Sequence, residues 1–382
     1  MNSAKRIFPE LHVAIVGSCG VPARYGGFET LAEHLVRELE EDDEVRFTVY
    51  CDRSFYRDGK PTHFAGANLI YLRLKANGWQ SMFYDAWSSL HAVLFRRAKV
   101  ILVLGVSGAW FFPFLRLFTD VRIITNVDGI EWRRPKWSRP ARQLLKALEW
   151  FAVKFSHSVI ADNDGIAELL LDRYETEAQT IAYGGNHAVQ ETKAKSPAFL
   201  PLKPYALTVC RIEPENNIHT LVQTFAQSAA ISNLRLVVVG RWDGSAYAAD
   251  LRAQYGGLPN IDLIDPIYDQ NQLYVLRRQA ACFVHGHSAG GTNPTLVEAM
   301  FFGKPVFAFD CVFNRNTTEE TALFFDDHGS LKQLIEQWQT HVLEQSGRKL
   351  KEVAERRYQW HFVAQDYAAL IDAVATQKKS IQ

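Results

Sequence analysis

Residues 12–39 read HVAIVGSCGVPARYGGFETLAEHLVREL. His12–Val16 reads as a short apolar run ending in Gly17, as a buried parallel strand does. Farther on, Leu31, Leu35, Val36 and Leu39 recur at helical spacing, so Thr30–Leu39 is predicted as a helix. Strand, loop and helix in direct succession form the opening unit of a parallel sheet covered by helices. The loop between them, Gly17–Glu29, holds Gly17, Gly20, Gly26 and Gly27, with Pro22 among them. Its glycines let backbone approach a ligand, and the helix it opens presents unpaired N–H groups and about half a positive charge. That suits a pyrophosphate or an anionic acceptor. A glycine-rich turn that merely packs strand on helix is the plainer alternative. The spacing is not GxGxxG, and no Gly-Lys-Ser/Thr ending follows, so neither a dinucleotide fingerprint nor a P-loop is present.

The same alternation continues on both sides of a break. Arg46–Tyr50, Leu69–Leu72, Val100–Leu104, Val121–Thr125 and Ser158–Ala161 read as strands, and Ala141–Lys154 as a helix. A second series starts near residue 204, with strands at Tyr205–Val209, Leu234–Val239, Ile261–Leu263, Cys282–His285 and Val306–Phe309. Helices at Ile218–Ala229, Asn271–Gln279 and Thr295–Phe302 lie between them. Residues 191–204 are polar and rich in Pro and Lys, as a linker is. Two α/β, Rossmann-like doubly wound domains facing a central cleft are therefore expected. The predicted divisions are 1–190, the linker 191–204, 205–355, and a tail 356–382 packing back on the first domain. Ser330 to Ala375 is predicted helical throughout.

Length and composition agree: 382 residues exceed one ordinary core, and 47% hydrophobic with 22% charged residues is globular. Lys+Arg and Asp+Glu both number 42, and this balance argues against a nucleic-acid binder. The five cysteines are odd in number and form no CxxC pair, which fits reduced thiols in a cytoplasmic protein rather than a disulfide framework or zinc site. The first residues lack a signal-peptide layout. Val100–Leu115 carries no charge but falls short of the about 20 apolar residues of a membrane span. It reads as a buried strand, a glycine turn and an aromatic segment.

The residues that carry chemistry cluster after strands, where open α/β sheets bind ligands. Cys210–Asn217, CRIEPENN, puts Arg211 at a strand end, suited to bidentate phosphate contact or to a surface pair with Glu213 or Glu215. His285–Glu298, HGHSAGGTNPTLVE, is again strand, glycine loop and helix. There Gly290, Gly291 and Thr292 can bring N–H groups to a phosphate, Asn293 and Thr295 can cap the helix, and Glu298 can accept from sugar or ribose hydroxyls. His285 and His287 share one strand face but have no third metal ligand nearby in sequence. Asp162-Asn163-Asp164 matches a metal-binding DxD, and equally a helix cap after a strand. Asp128, in DGIEW, is a candidate base or sugar ligand, or the start of an Asx turn. From Arg133 to Lys154 seven cations face Glu149 alone, with Trp132, Trp137 and Trp150 close by. That composition suits either an anionic lipid surface or a plain solvated helix.

PARYGGFE near the start, DGIEWRR, RIEPENN and HGH with GGTNPTLVEAM and GKPV, in that order over about residues 11–310, resemble the bacterial rhamnosyltransferase branch of glycosyltransferase family 4. The resemblance implies the GT-B fold and transfer from a nucleotide-diphospho-sugar with retention and no metal or other cofactor. It places Gly26 and Gly27 at the donor diphosphate, with Arg211 and the 290–295 loop, and Glu298 on the nucleotide ribose. The family's usual Lys falls on Asn216 here, and the first of its two glutamates on Gly290, which fits a 6-deoxy sugar held differently. The expected donor is dTDP-L-rhamnose. The expected acceptor is a lipid-linked oligosaccharide of surface polysaccharide assembly. The C-terminal domain would bind the donor and the N-terminal domain the acceptor, through Arg24, Tyr25, Trp132 and Arg133. Arg211, Asp128 and Glu131 are the catalytic candidates. Such a protein would be cytoplasmic, with peripheral contact to an anionic membrane through 133–154. Three alternatives share these features: a family 4 transferase of a UDP- or GDP-sugar, a GT-B sugar-nucleotide epimerase, and an inactive nucleotide-sugar-binding protein.

Overall fold

The computed structural model describes residues 11–24, 26–41, 45–57, 59–127, 129–134, 137–190, 204–227, 233–338 and 341–377. The linker prediction over 191–204 lies, except for Pro204, outside these residues. The first half forms eight strands: β1 (Leu11–Val16), β2 (Val45–Asp52), β3 (His63–Phe64), β4 (Ala67–Leu72), β5 (Val100–Leu104), β6 (Arg122–Val127), β7 (Ser158–Ala161) and β8 (Gln179–Thr180). They lie in the order β3-β4-β2-β1-β5-β6-β7-β8, parallel except for the β3–β4 pair. The second half adds β9 (Tyr205–Val209), β10 (Arg235–Val239), β11 (Ile261–Ile264), β12 (Cys282–His285), β13 (Val306–Phe309) and β14 (Leu323–Phe325), in the order β11-β10-β9-β12-β13-β14. This is the expected α/β, GT-B arrangement of two doubly wound parallel sheets.

Strand order reverses beside β1 in the first sheet and beside β9 in the second. Ligands of open sheets bind at such switch points. The loops that follow β1, β9 and β12 are the three glycine- or Arg-bearing segments singled out above. β5, VILVL, is buried at every position, and so are Val13–Val16 of β1. Both therefore read as unbroken apolar runs rather than alternating ones.

The helix predicted at Thr30–Leu39 begins earlier, at Gly27, and runs to Glu38. Gly26 sits at its N-cap with φ 123°, where a side chain would also strike Glu29 Oε2 at 2.0 Å. The tail is not one helix but three, His328–Glu336, His341–Arg357 and Trp360–Thr376. The last break falls at buried Tyr358, whose hydroxyl donates to the Thr317 carbonyl at 2.8 Å. The final helix belongs to the first half. Its Trp360, Val363, Tyr367 and Ile371 join the core around β1, β2 and the helix Gly27–Glu38. Tyr367 accepts a hydrogen bond from Asn126 Nδ2 at the end of β6, at 2.6 Å.

Candidate functional site

A cavity of about 390 Å3 opens between the halves. Ile130 and Arg133 line it from the first half, and Glu215, Asn217 and Gly290 from the second. Arg134 crosses from one half to the other. It is buried, pairs with Glu131 at 2.9 Å and approaches Glu215 at 3.9 Å. Arg211 stands at the end of β9, 4.0 Å from Glu213 and largely accessible. Burial pushes the Glu215 carboxyl up, as does Glu213 beside it, against the pull of Arg134. In the sequence Glu215 was read only as a possible pair for Arg211 and Arg134 only as one of a basic run, since their meeting depends on how the halves close.

The loop after β9 braces the loop after β12. Asn216 donates to the Arg211 carbonyl at 2.7 Å and shares a 2.8 Å hydrogen bond with His287 Nδ1. Asn217 donates to the Gly286 carbonyl. Gly290 and Gly291 sit where the halves touch: a Cβ on Gly291 would lie 1.7 Å from Asp162 Oδ1, and one on Gly129 would lie 2.8 Å from the Gly290 Cα. Thr292 donates to the Asp162 carbonyl at 2.5 Å. Asn293 caps the short helix Pro294–Met300, accepting from the Thr295 N–H and hydroxyl. Asp162-Asn163-Asp164 takes part in the same joint. Asn163 caps the helix Asp164–Tyr174 and donates across to Thr292, Thr317 and the Phe313 carbonyl. Asn163→Ala is expected to lower stability by at least the about 1 kcal/mol of a lost cap, with more from the three bonds across the joint. A chemical-denaturation midpoint unchanged by the substitution would contradict this.

Glu298 is buried in a polar cluster that joins the halves. Arg277 donates to its Oε2, and His187 Nε2 lies 3.1 Å from Oε1. Burial raises the Glu298 carboxyl, but Arg277 and His187 outweigh it and hold the group below its ordinary range. His187 takes a 3.0 Å hydrogen bond on Nδ1 from the Trp360 indole, which leaves Nε2 to donate to Glu298. Neither Arg277 nor His187 was marked by sequence spacing.

The predicted residues of the first half are more dispersed. Gly27 faces the second half, and a Cβ there would stand 3.5 Å from Pro294. Arg24 turns the other way, donating to the Phe55 carbonyl and lying 5.4 Å above the Tyr56 ring. Trp132 donates to buried Glu149, and Arg133, Lys146 and Arg173 stack over its ring. Asp128 and Tyr25 lie outside the described residues. Among the described residues, no three His, Cys, Asp or Glu side chains gather as a metal-binding group.

Burial holds His34, His285 and His287 down at about 3, and His157 at about 4. An unfolded histidine takes its proton near pH 6.5. Between that pH and the folded values the unfolded chain binds more protons, so stability falls as pH falls. Asp85, whose carboxyl burial pushes up to about 8, opposes this with one proton against four, so the melting temperature is expected to fall between about pH 6.5 and pH 5. A flat profile over that interval would contradict the burial of these rings.

Residues 10–186 match a domain of unknown function, DUF1972, and residues 189–359 match the glycosyl transferases group 1 family. No curated protein matches the chain. Among solved structures, sucrose-phosphate synthase from Thermosynechococcus elongatus superposes with TM-score 0.79 at 18% identity, over 96% of this chain and 99% of that one. The catalytic domain of starch synthase IV from Arabidopsis thaliana, bound to ADP and acarbose, gives 0.73 at 12% over 97% and 100%. HepE from Anabaena, in complex with UDP, gives 0.68 at 13% over 96% and 100%. The C-terminal half thus matches the group 1 glycosyl transferases, and the two facing parallel sheets have the GT-B architecture of these solved structures.

Proposed function

We propose that the chain transfers L-rhamnose from dTDP-L-rhamnose to a lipid-linked oligosaccharide in surface polysaccharide assembly, with retention of configuration and without a metal. The observation that carries a diphosphate-leaving reaction is the convergence of two cations from opposite halves. Arg134, buried between the halves, and Arg211, beyond β9, both act on His287, whose pKa is lowered first by burial, then by His285 and then by these two cations, in a cleft at the switch points of both sheets. The solved structures of HepE with UDP and of starch synthase IV with ADP support a nucleoside diphosphate in the equivalent architecture.

In this mechanism the bond from the anomeric carbon to the phosphate oxygen breaks as the acceptor hydroxyl attacks on the same face. The acceptor proton passes to the departing phosphate oxygen. Arg211, Arg134 and the N–H groups of Gly26 and Gly27 stabilise the charge that develops on the diphosphate. Gly290–Thr292, Asn293, Thr295 and Asn216 shape the donor side of the cleft, and Glu298 holds the nucleotide ribose. Glu131 and Asp128 orient the acceptor, with Trp132 and Arg133 on its path. The acceptor's lipid places the protein at the inner face of a membrane.

Label from dTDP-L-rhamnose is expected in the lipid fraction when membranes supply acceptor, with EDTA present. Abolition by EDTA that Mg2+ or Mn2+ restores would overturn the metal-free step. A changed sugar nucleotide without transfer would replace the reading by an epimerase.

A further inference from the structure

The helix Ser81–Leu94 is packed inside out. Tyr84, Asp85, Ser88 and Ser89 are turned into the protein, while Phe83, Trp87 and Leu94 face outward, about half exposed at 49%, 48% and 59%. A water-facing helix has the opposite polarity. Its neighbours repeat the pattern: Trp79, Leu117 and Phe118 are each about three-quarters exposed, at 75%, 75% and 74%. Of the fourteen large apolar side chains exposed among the described residues, ten lie between 79 and 150, so the surplus belongs to one region.

An aromatic path runs through the patch and is held in place. Ring centroids step from Trp79 to Phe83 (6.3 Å), to Trp110 (6.2 Å), to Phe111 (5.6 Å) and to Phe114 (5.7 Å). The Trp110 indole donates to the Met82 carbonyl at 3.2 Å, tying the helix Phe112–Phe118 and the turn before it to the helix Ser81–Leu94. The sequence that carries it is basic. From 73 to 122 the sequence has seven Lys and Arg against two Asp, one of them the buried Asp85, in a chain whose net charge is zero. Arg96 and Arg97 follow the helix Ser81–Leu94, and Arg116 stands between Phe114 and Leu117.

We propose that this face, built from Trp79 and the outward sides of Ser81–Leu94 and Phe112–Phe118, seats the protein on an anionic lipid bilayer. Aromatic and leucine side chains enter the headgroup boundary while the arginines meet lipid phosphates, the composition of an interfacial surface. None of the helices, among the described residues, is long and apolar enough to cross a membrane, so the contact lies in the plane. The run 133–154 is a margin of this surface rather than its centre. Lys146 and Arg133 fold over Trp132, and Leu144 and Trp150 alone extend the apolar face, at 47% and 43% exposure. The inference rests on the lipid-linked acceptor of the proposed function, but needs neither donor nor acceptor to be tested.

The experiment is sedimentation with phosphatidylcholine vesicles, with and without phosphatidylglycerol. The wild-type chain is expected to pellet with the anionic vesicles, less at high salt, and to remain with the supernatant over neutral ones. Phe83→Ser/Trp87→Ser/Leu117→Ser is expected to lose vesicle affinity by about tenfold or more, from the apolar burial removed. Its melting temperature and nucleotide-induced thermal shift are expected to be unchanged. Wild-type protein that ignores anionic vesicles would overturn the proposal. So would a wild-type dimer that the triple variant splits, since the face would then be covered by a second copy. Vesicle binding without any nucleotide shift would leave the membrane face standing and sink the transferase reading; a shift without vesicle binding would do the reverse.

Discussion

Arg211→Ala is expected to cut kcat by about 10²–10³-fold, the loss of one preorganised donor to a charge that develops in the transition state. Stability should hardly move. The side chain is 44% accessible and its contact with Glu213 is long, at 4.0 Å. Replacement of such a surface residue changes stability by less than about 0.5 kcal/mol. Arg211→Lys should recover only part of the rate, because a point charge cannot reproduce the planar fork on two phosphate oxygens. Steady-state kinetics on both variants decide the matter. A kcat near that of the wild type for Arg211→Ala would remove this residue from the diphosphate and leave Arg134 to carry that role.

Trp360→Ala is expected to cost about 3–5 kcal/mol, the usual range for an aromatic removed from a packed core. Trp360 is buried, its ring stacks on His34 at 4.3 Å, and a Cβ on Gly184 would sit 2.4 Å from it. For a domain of this size each kcal/mol moves the midpoint by roughly 2–4 °C. Calorimetry should therefore show the first half melting roughly 6–20 °C earlier. Trp360→Phe separates packing from chemistry. It keeps most of the ring but removes the indole N–H that fixes His187 toward Glu298. That variant is expected to fold and to bind nucleotide more weakly, with a raised KM and a nearly normal kcat. A KM identical to that of the wild type would show that the His187–Glu298 contact does not act on the donor.

The strands were legible because parallel strands buried on both faces leave unbroken apolar runs. β5, β7, β9, β12 and β13 begin and end where their sequences predict. The helix Ser81–Leu94 was not read, since its outward residues are apolar and its inward ones polar, so no ordinary amphipathic pattern points to a core. Val312–Thr318 was missed for a related reason: it buries Asn314, Thr317 and Thr318. Loops bearing candidate site residues were visible because glycine and arginine after a strand stand out locally. Their partners were not. Glu298 meets Arg277 across two helices of the second half, while its contact with His187 and that of Arg134 with Glu215 come from closure of two domains, which no local spacing records.

Whether the cleft between the halves binds a nucleoside diphosphate is read out by a thermal-shift panel of UDP, dTDP, GDP and ADP, with and without EDTA. A ligand of the native state raises the midpoint by mass action, by about 2.7 kcal/mol of stability at a hundred times its Kd. A shift with dTDP that survives EDTA is the expected result. A shift with UDP or GDP alone would keep the transferase and discard rhamnose. No shift with any of the four would mean that the cleft does not take a nucleoside diphosphate.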